Sequence, residues 1–257
     1  MIRVVSWGIA GSVVDSGRTG RAWLGQSRGG AVDVASLALA NRLVGNSEAR
    51  AGLESSGGLV LAFDEPTMVV LTGAVAEVSV ADGHPVGWGS PVVLPAGASL
   101  RIGRLLDGAR TYVAVRGGVT RTGETLAIGA DPQTPAATHP AARTPLPSTV
   151  RLWPGPRLEW AAAATWAQLT TSEFTVTATS RVGVRLSGPV LRRTTLTELP
   201  SEGMVEGALQ LPPDGHPIIM LADHPTTGGY PVIAVVDPAD LPSVAQAAAG
   251  ANLRFTR

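Results

Sequence analysis

The chain has 257 residues, a net charge of +0, and 44% hydrophobic residues of which few are aromatic (4% of the chain). That length suits one large or two small domains cored by Val, Leu, Ile and Ala, and neutrality removes the electrostatic case for a nucleic-acid or anionic-membrane partner. There is no cysteine and all 20 basic residues are arginine, which excludes disulfides, thiol nucleophiles, Cys-ligated metals, Schiff bases, a P-loop lysine and a biotin carried on this chain.

The N-terminal MIRVVSWGIAGSVVDSGR lacks a signal-peptide layout, and no apolar run reaches the roughly 20 residues that span a bilayer, so a cytoplasmic location is expected. Arg3–Val14 reads as a short strand and a turn, followed by two glycine-rich polar loops, Asp15–Gly20 and Gly25–Gly30. Asp33–Val44 is the best helix, capped by Asp33 and ended by Gly45 and Asn46. Val34, Leu37, Ala38, Val44 and Asn41 share one face of it. From Leu59 to Gly118 short β runs and turns alternate every 8–12 residues, which predicts a closed β architecture.

Ala130–Ser148 is rich in Pro, Ala and Thr and reads as a linker. A second β-rich half follows, with short helices expected over Trp160–Leu169 and Pro238–Ala248. The expected division is therefore 1–130, a linker over 131–148, and 149–257.

Four constellations stand out. Asp15, Arg18 and Asp33, with Gly17, Gly20, Gly29 and Gly30, combine exposed amides with an arginine able to grip a carboxylate or phosphate. A tight loop held by an internal Asp–Arg pair is the other reading. Asn41 either faces a ligand or links the helix to a loop, and Glu54 is either a functional carboxylate or a rim charge. Arg181 and Arg185 flank Gly183 at a spacing that puts both on one side of a strand, facing an anion or a wet edge. The densest group is Gln210, Asp223, His224, Thr226, Thr227, Gly228, Gly229 and Tyr230, where Asp223 orients His224 or accepts a substrate amide. No metal-ligand spacing and no G-x-S-x-G frame accompanies them.

Together these motifs resemble the allophanate hydrolase subunit 2 family, which includes the C-type component of 5-oxoprolinase, KipI-antagonist proteins and a module of urea carboxylases. The likeness lies in SVVDSGRTGR, GGAVD, LALANRLVGN, VAVRGG, RLWPGP, RVGVRLSGP, SEGMVEGALQLPPDGHPI and LADHPTTGGYPVIAVV. It implies a mainly β fold of two cyclophilin-like β-barrel domains with a few short helices. It also implies an ATP-dependent 5-oxoprolinase acting with a KipI-like subunit 1 partner (the B-type component) and a ring-opening third subunit. ATP is then a co-substrate and a small amide the substrate; the resemblance leaves any metal open. The alternatives are a carboxyltransferase subunit of a biotin-dependent urea carboxylase, or a non-catalytic regulator antagonist. On this reading Asp223 or Glu54 manages a proton. Asp15, Arg18, Asp33 and Asn41 shape one side of a pocket, and Gln210, Thr227, Gly228, Gly229 and Tyr230 the other. Arg18 and Arg185 are candidates for an anionic group.

Overall fold

The structure is a computed structural model that describes residues 1–257 other than 82, 84, 196 and 198. Its contacts group the chain into two compact units, Met1–Gly17 with Asp33–Thr144, and Arg18–Val32 with Pro145–Arg257. The early segment Arg18–Val32 thus belongs with the C-terminal strands, where a division into consecutive stretches places it with the N-terminal ones.

Among its described residues the first unit has eleven strands. They are β1 (Ile2–Ser6), β2 (Ser12–Val14), β3 (Gly52–Ser55), β4 (Leu59–Phe63), β5 (Thr67–Gly73), β6 (Ala76–Val80), β7 (Val92–Leu94), β8 (Ser99–Leu105), β9 (Thr111–Val115), β10 (Val119–Thr122) and β11 (Thr125–Ile128). They form a six-stranded sheet ordered β10-β11-β1-β4-β8-β6 and a five-stranded sheet ordered β2-β3-β9-β5-β7. One core lies between the two: Ile2, Leu61, Phe63 and Ile102 of the first sheet meet Leu53, Leu71 and Val113 of the second. The closed β architecture expected of this stretch takes the form of two sheets around one core.

The other face of the five-stranded sheet carries helix α1 (Val34–Leu43). Strand alternation sends Val70 and Ala114 to that face, where they pack with Ala40, Leu43 and Val44. Two residues along the strands, the same face turns polar. Ser12 opposes Glu54, Glu54 opposes Tyr112, and Tyr112 opposes Thr72 across four neighbouring strands. Thr72 Oγ1 donates to Ser36 O (2.7 Å), and Asp33 N donates to the Tyr112 hydroxyl (2.8 Å). The seam thereby holds the start of α1. The expected cap is present: Asp33 accepts from Ser36 N at 3.0 Å. Val34, expected on the inward face, is 36% exposed, because the buried stripe starts at Leu37.

The second unit contains β12 (Thr149–Pro154), β13 (Glu173–Thr179), β14 (Gly183–Ser187), β15 (Glu202–Gly203), β16 (Ala208–Gln210), β17 (Ile218–Met220), β18 (Thr227–Gly228), β19 (Val232–Val236) and β20 (Asn252–Thr256). Seven of them close into a barrel in the order β12-β19-β16-β17-β14-β13-β20, leaving β15 and β18 as a separate pair. Closure removes the free edges an open sheet would expose. The barrel is filled by side chains such as Leu209, Ile219, Ile233 and the Phe174–Phe255 pair, whose ring centroids are 5.6 Å apart. Val32, from the early segment, is part of that core. Helix α2 covers Thr165–Thr171, a turn later than expected because a short 3-10 turn at Leu158–Trp160 intervenes. Helix α3 (Leu241–Ala245) follows a 3-10 turn at Pro238–Asp240. Among the described residues no helix is long and apolar enough to cross a membrane.

Tyr112 tests the polar seam. Its hydroxyl donates to Glu54 Oε2 at 2.7 Å while accepting from Asp33 N. Burial, then the nearby Glu54 and Asp33 charges, push its pKa well above the ordinary value of 10.0. The replacement Tyr112→Phe should cost about 1–3 kcal/mol in urea unfolding at neutral pH, because a buried carboxylate and a buried N–H both lose a partner. The phenol's contribution is fully present below the ordinary value of 10.0 and is lost as pH rises towards the folded-state value, since the unfolded chain ionises first. The Phe variant should lack that part of the alkaline decline.

Candidate functional site

The sequence-predicted residues fall into two sets. Asp15, Asp33, Asn41 and Glu54 are in the first unit; Arg18, Arg185, Gln210, Asp223, Thr227, Gly228, Gly229 and Tyr230 are in the second.

In the first set most polar atoms are already spent. Asp15 is exposed and accepts from Gly17 N (2.8 Å), turning its own loop. Asp33 is 1% exposed, and Ser36 engages both its oxygens. Asn41 is fully buried: Nδ2 donates to Glu48 O (3.2 Å) and Arg50 O (2.7 Å), and Oδ1 accepts from Asn46 Nδ2 (3.0 Å). Asn46 continues the chain of amides to Val115 O and Gly117 N, each at 2.8 Å. Asn41 therefore links helix to loop. Glu54 is 2% exposed, bonded to Tyr112 and 3.9 Å from the buried Arg110. It lies within a strand and not at a rim.

The second set is more open. The arm Arg18–Val32 is closed at its neck by Arg18 N donating to Arg28 O (2.7 Å) and is tied to the loop after β17 by Gly29 N donating to Ala222 O (3.0 Å). Two arginines lock it. Arg28 forks onto Glu206 at 2.7 and 2.9 Å, with side chains only 18% and 16% exposed. Arg181 forks onto Asp223 at 2.7 and 3.1 Å and also donates to Gly30 O at 2.6 Å. Parallel bonds of this kind fix both distance and plane. Asp223 is thus oriented by Arg181, while His224, which it was expected to orient, has its ring Nδ1 2.7 Å from Pro225 O. Arg185 is exposed on β14.

Arg18 approaches the same carboxylate. A methyl added at Gly29 would stand 3.3 Å from Arg18 Nη1 and 3.9 Å from Asp223 Oδ1. Gly29 has φ +60°, a region that favours glycine. The arginine's guanidinium and the aspartate's oxygen therefore flank a bare stretch of backbone. On another side of this loop, Gln210 is 3% exposed and donates to Tyr230 O at 3.0 Å. A side chain at Gly228 would collide with Met204 Cε (2.1 Å) and Gln210 Nε2 (2.8 Å). Gly228 and Thr227 pair with Glu202 and Gly203. Glu202 is held by Arg157, whose hydrogen bond keeps this carboxyl below its usual range. Thr227, Gly229 and Tyr230 remain exposed, Tyr230 at 44%.

Comparison with known proteins places this fold in a class. The chain belongs to the carboxyltransferase-domain family, subdomains A and B, whose model matches residues 24–122 and 119–257. It is 31% identical over 284 residues to the C-type component of 5-oxoprolinase from Escherichia coli (strain K12), covering 100% of this chain and 91% of that protein. It is 35% identical over 104 residues to the urea amidolyase of Saccharomyces cerevisiae, 40% of this chain but 6% of that protein. The crystal structure of TTHA0988 superposes with a TM-score of 0.83 at 32% identity; this chain is covered completely and spans 55% of that one.

Sequence reasoning missed Arg28 and Glu206, which lie 178 positions apart. The signal available was Glu206 beside Gly207 at the entry to an apolar strand. Arg28→Ala should destabilise the protein by about 1–3 kcal/mol, between the values for surface and buried pairs. It should also speed tryptic cleavage after the exposed Arg18 and Arg21. The exchanged pair Arg28→Glu with Glu206→Arg should recover most of both losses; equal protease resistance in wild type and Arg28→Ala would show that the pair does not hold the arm.

Proposed function

We propose that the chain is the C-type component of an ATP-dependent 5-oxoprolinase, a hydrolase that opens a cyclic amide in company with a B-type component and a ring-opening subunit. The observation that carries this reading is the likeness to the E. coli protein over the whole chain. The geometry of the second unit supports it. Arg18 is exposed and forms no ion pair among the described residues, which suits a substrate carboxylate. Asp223, its side chain 36% exposed and oriented by Arg181, is an acceptor for the lactam N–H. The backbone at Gly29, free of any side chain, lets a flat ring approach both groups. Gln210, Thr227, Gly228, Gly229 and Tyr230 shape the loop beside them. ATP is consumed by the complex; with no lysine, this chain has no P-loop through which to grip it.

The test is 5-oxoproline-dependent ATP hydrolysis by the chain reconstituted with its two companions. Arg18→Ala should raise the KM for 5-oxoproline about tenfold to hundredfold, the worth of one charge-assisted pair. Asp223→Asn should lower kcat/KM while leaving the fold intact. Absence of turnover by the wild-type complex would overturn the reading. The family's description as a carboxyltransferase domain favours a second reading, transfer of a carboxyl group from a separately carried carboxybiotin to urea. Carboxybiotin consumption on addition of urea, without 5-oxoproline turnover, would establish it.

A further inference from the structure

Asp223 has two arginines within reach and is bonded to one of them. Arg181 forks onto both its oxygens, Nε donating to Oδ2 at 2.7 Å and Nη2 to Oδ1 at 3.1 Å. The same residue holds the aspartate's main chain, Asp223 N donating to Arg181 O at 3.0 Å. Arg18 Nη1 and Asp223 Oδ1 both lie within 4 Å of the point where a Gly29 side chain would begin. Among the described residues beyond the adjoining chain, no third atom stands that close to it. Yet Arg18 forms no ion pair among the described residues.

Opposite charges at this range attract, the more so where water is partly excluded, and rotamer changes alone can bring two such side chains together. An Asp223–Arg18 pair would make each group the other's partner and leave neither for a ligand. The Arg181 fork competes with that pairing. Its two parallel bonds fix the distance and plane of the carboxylate. They take one lone pair from each oxygen and leave a second on each, so the group is held without being exhausted. The two side chains are 20% and 36% exposed, less screened than a surface pair. The bond from Arg181 Nη2 to Gly30 O, 2.6 Å, anchors the guanidinium to the arm beside Gly29. We propose that Arg181 is a positioning residue that keeps Asp223 off Arg18, leaving Arg18 for an anion and Asp223 for a hydrogen-bond donor. The proposal rests on the reading above, in which these two groups receive the substrate.

The test reads Arg18 directly, by its rate of modification with phenylglyoxal in the full chain, followed by peptide mass spectrometry. Arg21, exposed and without an ion pair among the described residues, near the exposed Trp23 and Leu24, is the internal reference. Arg181→Met should slow modification of Arg18 relative to Arg21 about threefold to fivefold. Adding Asp223→Asn should restore the rate, and Asp223→Asn alone should leave it unchanged. The arm keeps its other ties in these variants, Arg28 to Glu206 and Gly29 N to Ala222 O. In the reconstituted complex Arg181→Met should raise the KM for 5-oxoproline about tenfold, and the added Asp223→Asn should bring KM part of the way back while kcat stays low. A residue that only stabilised the fold would leave the double variant no better than the single one. Arg181→Lys, which keeps the charge without the fork, should show the same pattern more weakly, and it carries the test if Arg181→Met does not fold. Unchanged Arg18 reactivity in the Arg181 variants overturns the proposal, as does a slowing that Asp223→Asn does not reverse. The expected reactivity pattern in a chain whose complex hydrolyses no ATP with 5-oxoproline leaves the positioning role standing and removes the oxoprolinase reading; turnover with an unresponsive Arg18 does the reverse.

Discussion

Arg181 holds two things at once. One guanidinium plane takes the Asp223 carboxylate through two bonds and the Gly30 carbonyl through a third. The side chain that orients the candidate site's carboxylate thus also fastens the arm that delivers Arg18 to it. Arg28 repeats the arrangement lower on the arm, taking Glu206 and the Ala31 carbonyl. Arginine suits both places because its planar fork satisfies an anion and a carbonyl together, where an ammonium would act as a point charge. A chain whose basic residues are all arginine is well supplied with such forks.

Asp33 and Glu54 in the first unit and Asp223 in the second are used in opposite ways. In the first, Asp33 and Glu54 are nearly inaccessible and their partners are internal: a helix-end serine, a phenol, a buried arginine. Such groups specify which strands adjoin and where the helix begins, because an unpartnered buried charge is costly. In the second unit Asp223 stays partly in solvent, braced on one side and open on the other. Chemistry requires the latter condition, since a group whose every lone pair is committed has nothing left for a ligand.

The sequence made the local elements plain. Alternation marked the strands, and Asp33 with Gly45 bracketed α1 within a residue or two. The hairpin β10–β11 was not foreseen, although Thr122-Gly123-Glu124-Thr125 with Gly123 at φ 62° is a two-residue turn signal; the surrounding polar threonines hid its period. The glycine-rich arm and the Asp223 loop stood out because they gather costly residues in turns. What the sequence could not show was pairing across distance. Nothing local says that Asp223 meets Arg181 and not His224, that Glu206 waits for Arg28, or that Asn41 is used up by Glu48, Arg50 and Asn46. Such choices are made by the fold, after the strands have set which side chains face one another.

Arg28 and Glu206 are separated by 178 positions, and this has a bearing on how the molecule is made. Ribosomal synthesis at roughly 5–20 residues per second leaves the arm without its anchor for about 10–35 s. Throughout that interval Val32 has no barrel to enter, and Trp23 and Leu24 hang on a tether with nothing to fix its direction. The nascent polypeptide is therefore most open to chaperone capture, or to premature association with another chain, well before its last strands emerge.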